Sequence, residues 1–369
     1  MQRKTTWALL VIILLAAFFL YQNKLLDFPY YGDEVDGGDI TARILNGQLA
    51  PFYSEGDGHE ALYNFTMAPL FVVLGESVIA SRWTSVAWAM VTVALMYVYG
   101  QRLFKRRRTG VLAAGLTAAL FWPALYAHLS LRVVTLSAIM IPALIGLVGS
   151  VRGASDRAAL RSGIVGGAFA GLAAYTYTSG RGFPAIVLLF LVYLAVVQRD
   201  LIFKRWRVLL VYLAVMGIVS VWLYVYLRAH PEFDNRIGQM AQTSWFFSGN
   251  WSGFLPALLD TLGMFTVRGE PNWVNNISGR PVFVGPEGIL FYLGVLICVV
   301  RLFKPEYGLQ LIVLGVHMLP SIITEHPPSW GRSMGMLPAL ILITVLPVEW
   351  AFAKLEEIRK RGAGAGWAR

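Results

Sequence analysis

The chain has 369 residues, 57% of them hydrophobic and 14% charged, with 31 Lys and Arg against 21 Asp and Glu. Soluble domains carry nearly twice that charged fraction, and the mean hydropathy of +0.59 excludes a soluble globular class in favour of a polytopic membrane protein. The net charge of +10 has no soluble basic stripe to carry it, which excludes a nucleic-acid binder.

In chain order, apolar runs predict spans at 7–22, 79–101, 110–127, 133–151, 162–178, 183–198, 208–227, 286–303, 308–323 and 333–353. Several fall short of the ~20 residues that a perpendicular helix needs, so flanking residues must extend them. The first run follows MQRKTT, and no small-x-small cleavage site follows FFLYQN. It is expected to remain an uncleaved helix. Threading ten spans places Arg3 and Lys4, RLFKRRR at 102–108, the 152–161 loop, FKRWR at 203–207, Arg301, Lys304 and the tail on one face. That face holds 21 of the 31 Lys and Arg. The positive-inside rule makes it cytoplasmic. Both termini, including the basic tail 354–369, are then cytoplasmic, in a plasma (inner) membrane.

The expected fold class is an all-α polytopic membrane protein with about ten transmembrane helices, residues 1–353 forming one domain. Two long loops, about 23–78 and 228–285, lie on the outer side. They are rich in aromatic and apolar residues, which argues against disorder. ALYNFTMAPLFVVLG at 61–75 and GFLPALLDTLGMF at 253–265 are expected to be interfacial helices. Cys298 stands alone inside a span, so no disulfide framework or cysteine metal site exists.

The first outer loop opens with YYGDEVDGGDITARILNG at 30–47. Asp33 can N-cap a helix from Glu34 to about Asn46, with Gly47 ending it. Asp39 and Arg43 have the spacing of an i,i+4 ion pair. The next cluster, GDGHEALYN at 56–64, adds Asp57, His59 and Glu60. Carboxylates grouped at low dielectric raise one another's pKa or take up a cation, which suits a general base or a metal site. Asp33, His59, Glu60, Glu325 and His326 are the candidates for a divalent metal, although no spacing matches a dedicated zinc motif.

These elements, together with others later in the chain, resemble the GT-C superfamily of polytopic glycosyltransferases. The branch they are most similar to contains the dolichyl-phosphate-mannose protein mannosyltransferases and the bacterial lipid A aminoarabinose transferases. The resemblance is carried by GDE at 32–34, GHEALYNFTMAPLFVVLGESVIASRWTSV at 58–86, AHLSLRV at 127–133, AAYTYTSGRGFP at 173–184, EPNWVNNISGRP at 270–281 and SWGRSMGMLP at 329–338, in the family's order. Ala61 stands where Pro is common in the family, and Val35 and Asp36 follow the Asp-Glu pair.

The resemblance implies transfer of a sugar from a polyprenyl-phosphate donor, at the outer face, to a lipid, glycan or protein acceptor. Asp33 matches the catalytic Asp and is expected to act as general base, with inversion at the anomeric carbon. Glu34 is the second choice, or a partner that orients the acceptor. The anionic leaving phosphate needs cationic stabilisation more than an acid, and a guanidinium fork suits it. Arg181 and Arg332 are the preferred phosphate ligands, followed by Arg132 and Arg280, while Arg82 is expected to anchor the second span. Asp36, His59, Glu60, Tyr63, Trp273 and Asn276 are candidate substrate contacts. The competing readings are a lipid-linked glycan transporter or flippase and an oligosaccharide ligase. A transporter calls for charged residues deep within its spans, and these spans are nearly free of charge.

Overall fold

A computed structural model describes residues 2–233, 245–246, 249, 251–324 and 326–365. The described chain is almost wholly helical. The helices are α1 (Arg3–Gln22), α2 (Gly32–Leu45), α3 (Leu62–Leu74), α4 (Val78–Phe104), α5 (Arg107–Ala119), α6 (Phe121–His128), α7 (Val134–Arg152), α8 (Asp156–Leu172), α9 (Phe183–Val197), α10 (Arg199–Ala229), α11 (Phe254–Gly263), α12 (Glu287–Val300), α13 (Pro305–Ile322) and α14 (Leu337–Ala365). A two-residue antiparallel pair, β1 (Phe52–Tyr53) with β2 (His59–Glu60), is the sheet among the described residues.

Every one of the ten predicted spans carries helix. Among the described residues seven helices are long and apolar enough to cross a membrane, or eight when α5 and α6 count as one span bent by 55°. The bend lies at Leu120, whose extended backbone (φ −70°, ψ 134°) interrupts the helix three residues before Pro123. The helix α12 has only 14 residues, and α13 carries Glu306, Gln310 and His317 along its length. The predicted interfacial segments are α3 and α11.

Most of α7 is buried, as is the first part of α14, residues 337–347, and these segments lie in the interior of the bundle. By contrast α1 and α10 present bare Leu, Ile, Val and Trp side chains outward, as lipid-facing helices do. Where a driving force from water is lacking, close helix packing relies on small residues. Gly146 of α7 and Gly166 of α8 meet backbone to backbone: a Cβ on Gly146 would lie 2.3 Å from the Gly166 Cα. A Cβ on Gly294 of α12 would lie 1.9 Å from the Ile343 carbonyl of α14.

The helices sort the polar residues between two ends. One end gathers the exit of α1, α2, α3 and the N-termini of α4, α7, α9, α12 and α14. The opposite end gathers the C-termini of α4 and α7, the N-termini of α10 and α13, and the distal half of α14.

Candidate functional site

The site is built at the first end, around α2. The predicted N-cap is shifted: Tyr31, in extended conformation, precedes the helix, and Asp33 lies inside its first turn. Arg43 pairs with Glu55 and bonds Gln48 at 2.8 Å, in place of the expected Asp39 contact. Glu34 is fully buried. Its Oε1 accepts from Arg82 Nε at 3.0 Å and from the Ser130 amide at 2.7 Å, while Oε2 accepts from Arg82 Nη2 at 2.9 Å. Arg82 also donates to the carbonyls of Leu25, Phe28 and Pro29. The arginine expected to anchor the second span therefore anchors α2 as well. Glu34 is corrected from candidate base to structural ion-pair partner, because both its oxygens are engaged away from solvent.

Asp33, one residue earlier and about 100° around the helix, is half-buried. Its surroundings are legible through its field. Burial holds the Tyr31 phenol above its ordinary pKa, and the charges of Asp33, Glu34 and Glu270, with Tyr177, add to the effect. Tyr126 of α6 lies within electrostatic range of Glu270, Tyr177, Tyr31 and Asp33. Its hydroxyl is buried with no hydrogen-bond partner among the described residues. Tyr31 and Tyr126 thus each lie within electrostatic range of Asp33, Tyr177 and Glu270, groups drawn from separate parts of the chain.

Beside Tyr177 stands a cluster of charged side chains. Glu60, at the edge of the small sheet, is fully buried between two arginines: Arg132 Nε donates to Oε2 at 2.9 Å and Arg181 Nη2 to Oε1 at 2.9 Å. Thr178 Oγ1 adds a third bond, at 3.1 Å. Burial alone would raise the Glu60 pKa, but the attraction of Arg132 and Arg181 outweighs it and holds the carboxyl below its ordinary value. Arg132 further bonds the Gly58 carbonyl at 2.9 Å, meets His59 Nδ1 at 3.1 Å and stacks over the Tyr177 ring. With only 3% of its side chain exposed, Arg132 is corrected from phosphate ligand to a support for the β2 strand. Arg181 is the more accessible of the two arginines, with 12% of its side chain exposed.

The same contacts argue against the predicted metal site. Glu60 spends its oxygens on arginines, and His59 turns its Nδ1 to a guanidinium. His326 lies exposed on a different loop, and Glu325 lies outside the described residues. Among the described residues no three His, Cys, Asp or Glu side chains gather as metal ligands. Tyr63 is corrected too: its hydroxyl, fully buried, is shared among the Ser81 carbonyl, Ser85 and Ser130 at 2.8–3.0 Å. Asp36 lies against the 55–57 turn, where Gly56 has φ +57° and a Cβ would meet Asp36 Oδ2 at 2.7 Å; only glycine leaves room there.

The second long loop supplies further groups. Asn276 is buried and donates to the carbonyls of Glu270 and Arg280 at 2.9 and 2.8 Å. It staples the loop and has no donor left for a substrate. Trp273 is 70% exposed. The residue of that element which does reach the site is Glu270, passed over in the sequence reading. Its carboxylate is buried and accepts from the Trp330 amide at 2.5 Å and Asn275 Nδ2 at 3.2 Å. Burial raises its pKa; the Trp330 and Asn275 bonds and the nearby Arg332 oppose the rise without cancelling it. Arg332 donates to Thr324 Oγ1. Arg280 sits over the Phe121 ring at 4.0 Å, and its Nε is buried without a hydrogen-bond partner among the described residues.

No protein-family model and no curated sequence matches the chain. Solved structures do. The chain is similar to ArnT from Cupriavidus metallidurans bound to undecaprenyl phosphate, with 19% identity and a TM-score of 0.62, over 93% of this chain and 60% of that one. It is also similar to the Archaeoglobus fulgidus oligosaccharyltransferase in complex with Zn and sulfate, with 14% identity and a TM-score of 0.65, over 94% and 49%. A third likeness is to archaeal AglB from the same organism, in complex with an inhibitory peptide and a dolichol-phosphate, at 14% identity, a TM-score of 0.62, and 97% and 52% coverage. The chain spans about three fifths of ArnT and about half of the oligosaccharyltransferase. Across these lengths the chain shares the fold of these membrane proteins.

Proposed function

We propose that this chain is a membrane glycosyltransferase that moves a sugar from a polyprenyl-phosphate donor to an acceptor, with Asp33 as general base. The observation that carries the reading is the placement of Asp33. Its charge acts on Tyr31 and Tyr126 together with that of Glu270, and Tyr177, which acts on the same two phenols, lies under Arg132 of the Arg132–Glu60–Arg181 cluster.

In the step, the acceptor hydroxyl gives its proton to Asp33 as its oxygen bonds the anomeric carbon. The bond from that carbon to the phosphate oxygen breaks, and polyprenyl phosphate leaves with the electron pair. Attack from the face opposite the phosphate inverts the configuration. In this reading the charge that grows on the phosphate is met by Arg181 and Arg332, with Arg280 as a further candidate, since a fixed guanidinium is worth most there. Glu270, whose pKa is raised by its burial, is proposed to hydrogen-bond a sugar or acceptor hydroxyl. ArnT bound to undecaprenyl phosphate and AglB bound to a dolichol-phosphate support a lipid phosphate as the carrier. The basic ends of the helices face the cytoplasm in this reading, and Asp33 faces outward.

A second reading, transfer of a preassembled oligosaccharide, draws on the likeness to the archaeal oligosaccharyltransferase. One experiment separates them: proteoliposomes offered a panel of polyprenyl-linked monosaccharides and oligosaccharides, with wild type beside Asp33→Asn. Transfer from a monosaccharide phosphate, lost by roughly 10²–10⁴-fold in the variant, is expected. Undiminished transfer by Asp33→Asn would overturn its role as base, and use of oligosaccharide donors alone would select the second reading.

A further inference from the structure

The ends of the helices opposite Asp33 enclose a feature that sugar transfer does not use. A cavity of about 1050 Å³ opens between the C-termini of α4 and α7, the start of α10, the α12–α13 turn and the distal half of α14. Eight cationic side chains line it against three glutamates. Each glutamate already has a partner: Glu306 holds Arg152 at 2.8 Å, Glu349 holds Arg106 at 2.7 Å and Glu357 holds Lys354 at 3.0 Å. Lys105, Lys204 and Lys304 have no carboxylate partner among the described residues, and Arg301 bonds only the Tyr307 hydroxyl, at 2.8 Å. Cations collected on a concave wall set up a positive potential that an anion relieves.

A second cavity points to the kind of anion. An apolar groove of about 550 Å³ runs between α12 and α14, walled by Leu293, Leu296, Phe352 and Leu355, and it shares Ile297 and Trp350 with the basic cavity. The charged chamber and the apolar groove therefore adjoin, with these two side chains in the lining of both. A free phosphate compound fits the first and gains nothing from the second. An amphiphile with a phosphate headgroup uses both, as basic pockets at membrane helix ends do.

We propose that this paired cavity and groove bind an anionic phospholipid from the leaflet at the basic ends, its phosphate among Lys105, Lys204 and Lys304 and an acyl chain along α12 and α14. The site is separate from the transfer centre, so its test does not depend on the donor. Purified protein in detergent is loaded with phosphatidylglycerol, with phosphatidylcholine, or with inorganic pyrophosphate, and bound species are counted by native mass spectrometry. Wild type is expected to retain phosphatidylglycerol in preference to phosphatidylcholine. The variant with Lys105→Ala, Lys204→Ala and Lys304→Ala is expected to lose that preference by roughly a hundredfold, the scale of three interfacial lysines. The corresponding Lys→Arg variant keeps it, which separates lost charge from lost folding. Equal retention by the alanine variant, or equal retention of phosphatidylcholine by wild type, overturns the proposal. Pyrophosphate that displaces the lipid completely from wild type overturns the lipid as occupant and leaves a soluble anion in its place.

Discussion

Arg82 and Glu34 meet through two hydrogen bonds, at 3.0 and 2.9 Å, with both side chains sealed from solvent. Since the same guanidinium collects three carbonyls from the turn after α1, one side chain fixes how α2 leaves the bundle and where Asp33 stands. Breaking a buried pair leaves a charge uncompensated, at a cost of about 3–5 kcal/mol. Glu34→Gln and Arg82→Ala are both expected to lower the thermal unfolding midpoint in detergent, and Arg82→Lys to rescue little, because an ammonium cannot span the same five acceptors. Asp33→Asn, one residue away, is expected to unfold like wild type while losing transfer. A wild-type midpoint for Glu34→Gln would show that the pair does not support the fold.

The arginines at the site divide by what already holds them. Arg332→Ala and Arg181→Ala each remove a cation from the proposed leaving group and are expected to lower kcat/KM for donor by roughly 10²–10³-fold. Lysine at either position recovers part of it, through charge without the fork. Arg132→Ala is expected to act instead through stability, because it strips Glu60 and Gly58 of their partner. Donor kinetics beside thermal unfolding distinguishes the two classes. Arg132→Ala that unfolds normally yet loses donor binding would return Arg132 to the phosphate site.

The crossing of α7 and α8 gives a packing test. A Cβ on Gly146 would lie 2.3 Å from the Gly166 Cα, and one on Gly167 would lie 2.4 Å from the Tyr212 carbonyl. Backbone cannot move aside as a flexible side chain can, so Gly146→Ala is expected to cost about 1–3 kcal/mol through overpacking. Gly217 has nothing within reach of an added Cβ, and Gly217→Ala is the matched control expected to be neutral. Equal unfolding midpoints for the two variants would contradict the close crossing.

Most of the helices were legible in the sequence, because a bilayer demands long apolar runs and sorts basic residues to one end. The bend after Ala119 was not, since AALFWPAL remains apolar through the break. Asp33 and the arginines stand out in the sequence through resemblance and the rarity of charge near a membrane, and their roles remain proposals. Roles were harder. Glu34, Glu60, Arg132 and Tyr63 are as polar in sequence as Asp33, and only their partners reveal that they hold the scaffold. Glu270 was missed although its element had been singled out. Its neighbours Trp273 and Asn276 drew attention by their chemistry, yet whether a loop residue points inward depends on contacts 60 residues away, such as that with Trp330.

Glu60 and Glu270 respond to pH in opposite senses. The Glu60 pKa is held low in the fold. Its contribution to stability is complete above the ordinary carboxylate pKa and is lost as pH falls through the depressed value. The Glu270 pKa is held high, so the folded state retains its proton longer than the unfolded chain. Its contribution is complete below the ordinary value and is lost as pH rises through the elevated one. Unfolding midpoints measured from about pH 4 to about pH 8, across the carboxylate range, should therefore show a loss at the acid end that Glu60→Gln flattens while lowering stability near neutrality. Glu270→Gln should flatten the loss on the alkaline side of the carboxylate range and leave the acid limb unchanged. The amide still accepts the Trp330 N–H, so this variant isolates the charge. If its profile overlays the wild type throughout, the Glu270 carboxyl exchanges no proton on unfolding, and its proposed role as a hydrogen-bond donor to substrate fails with it.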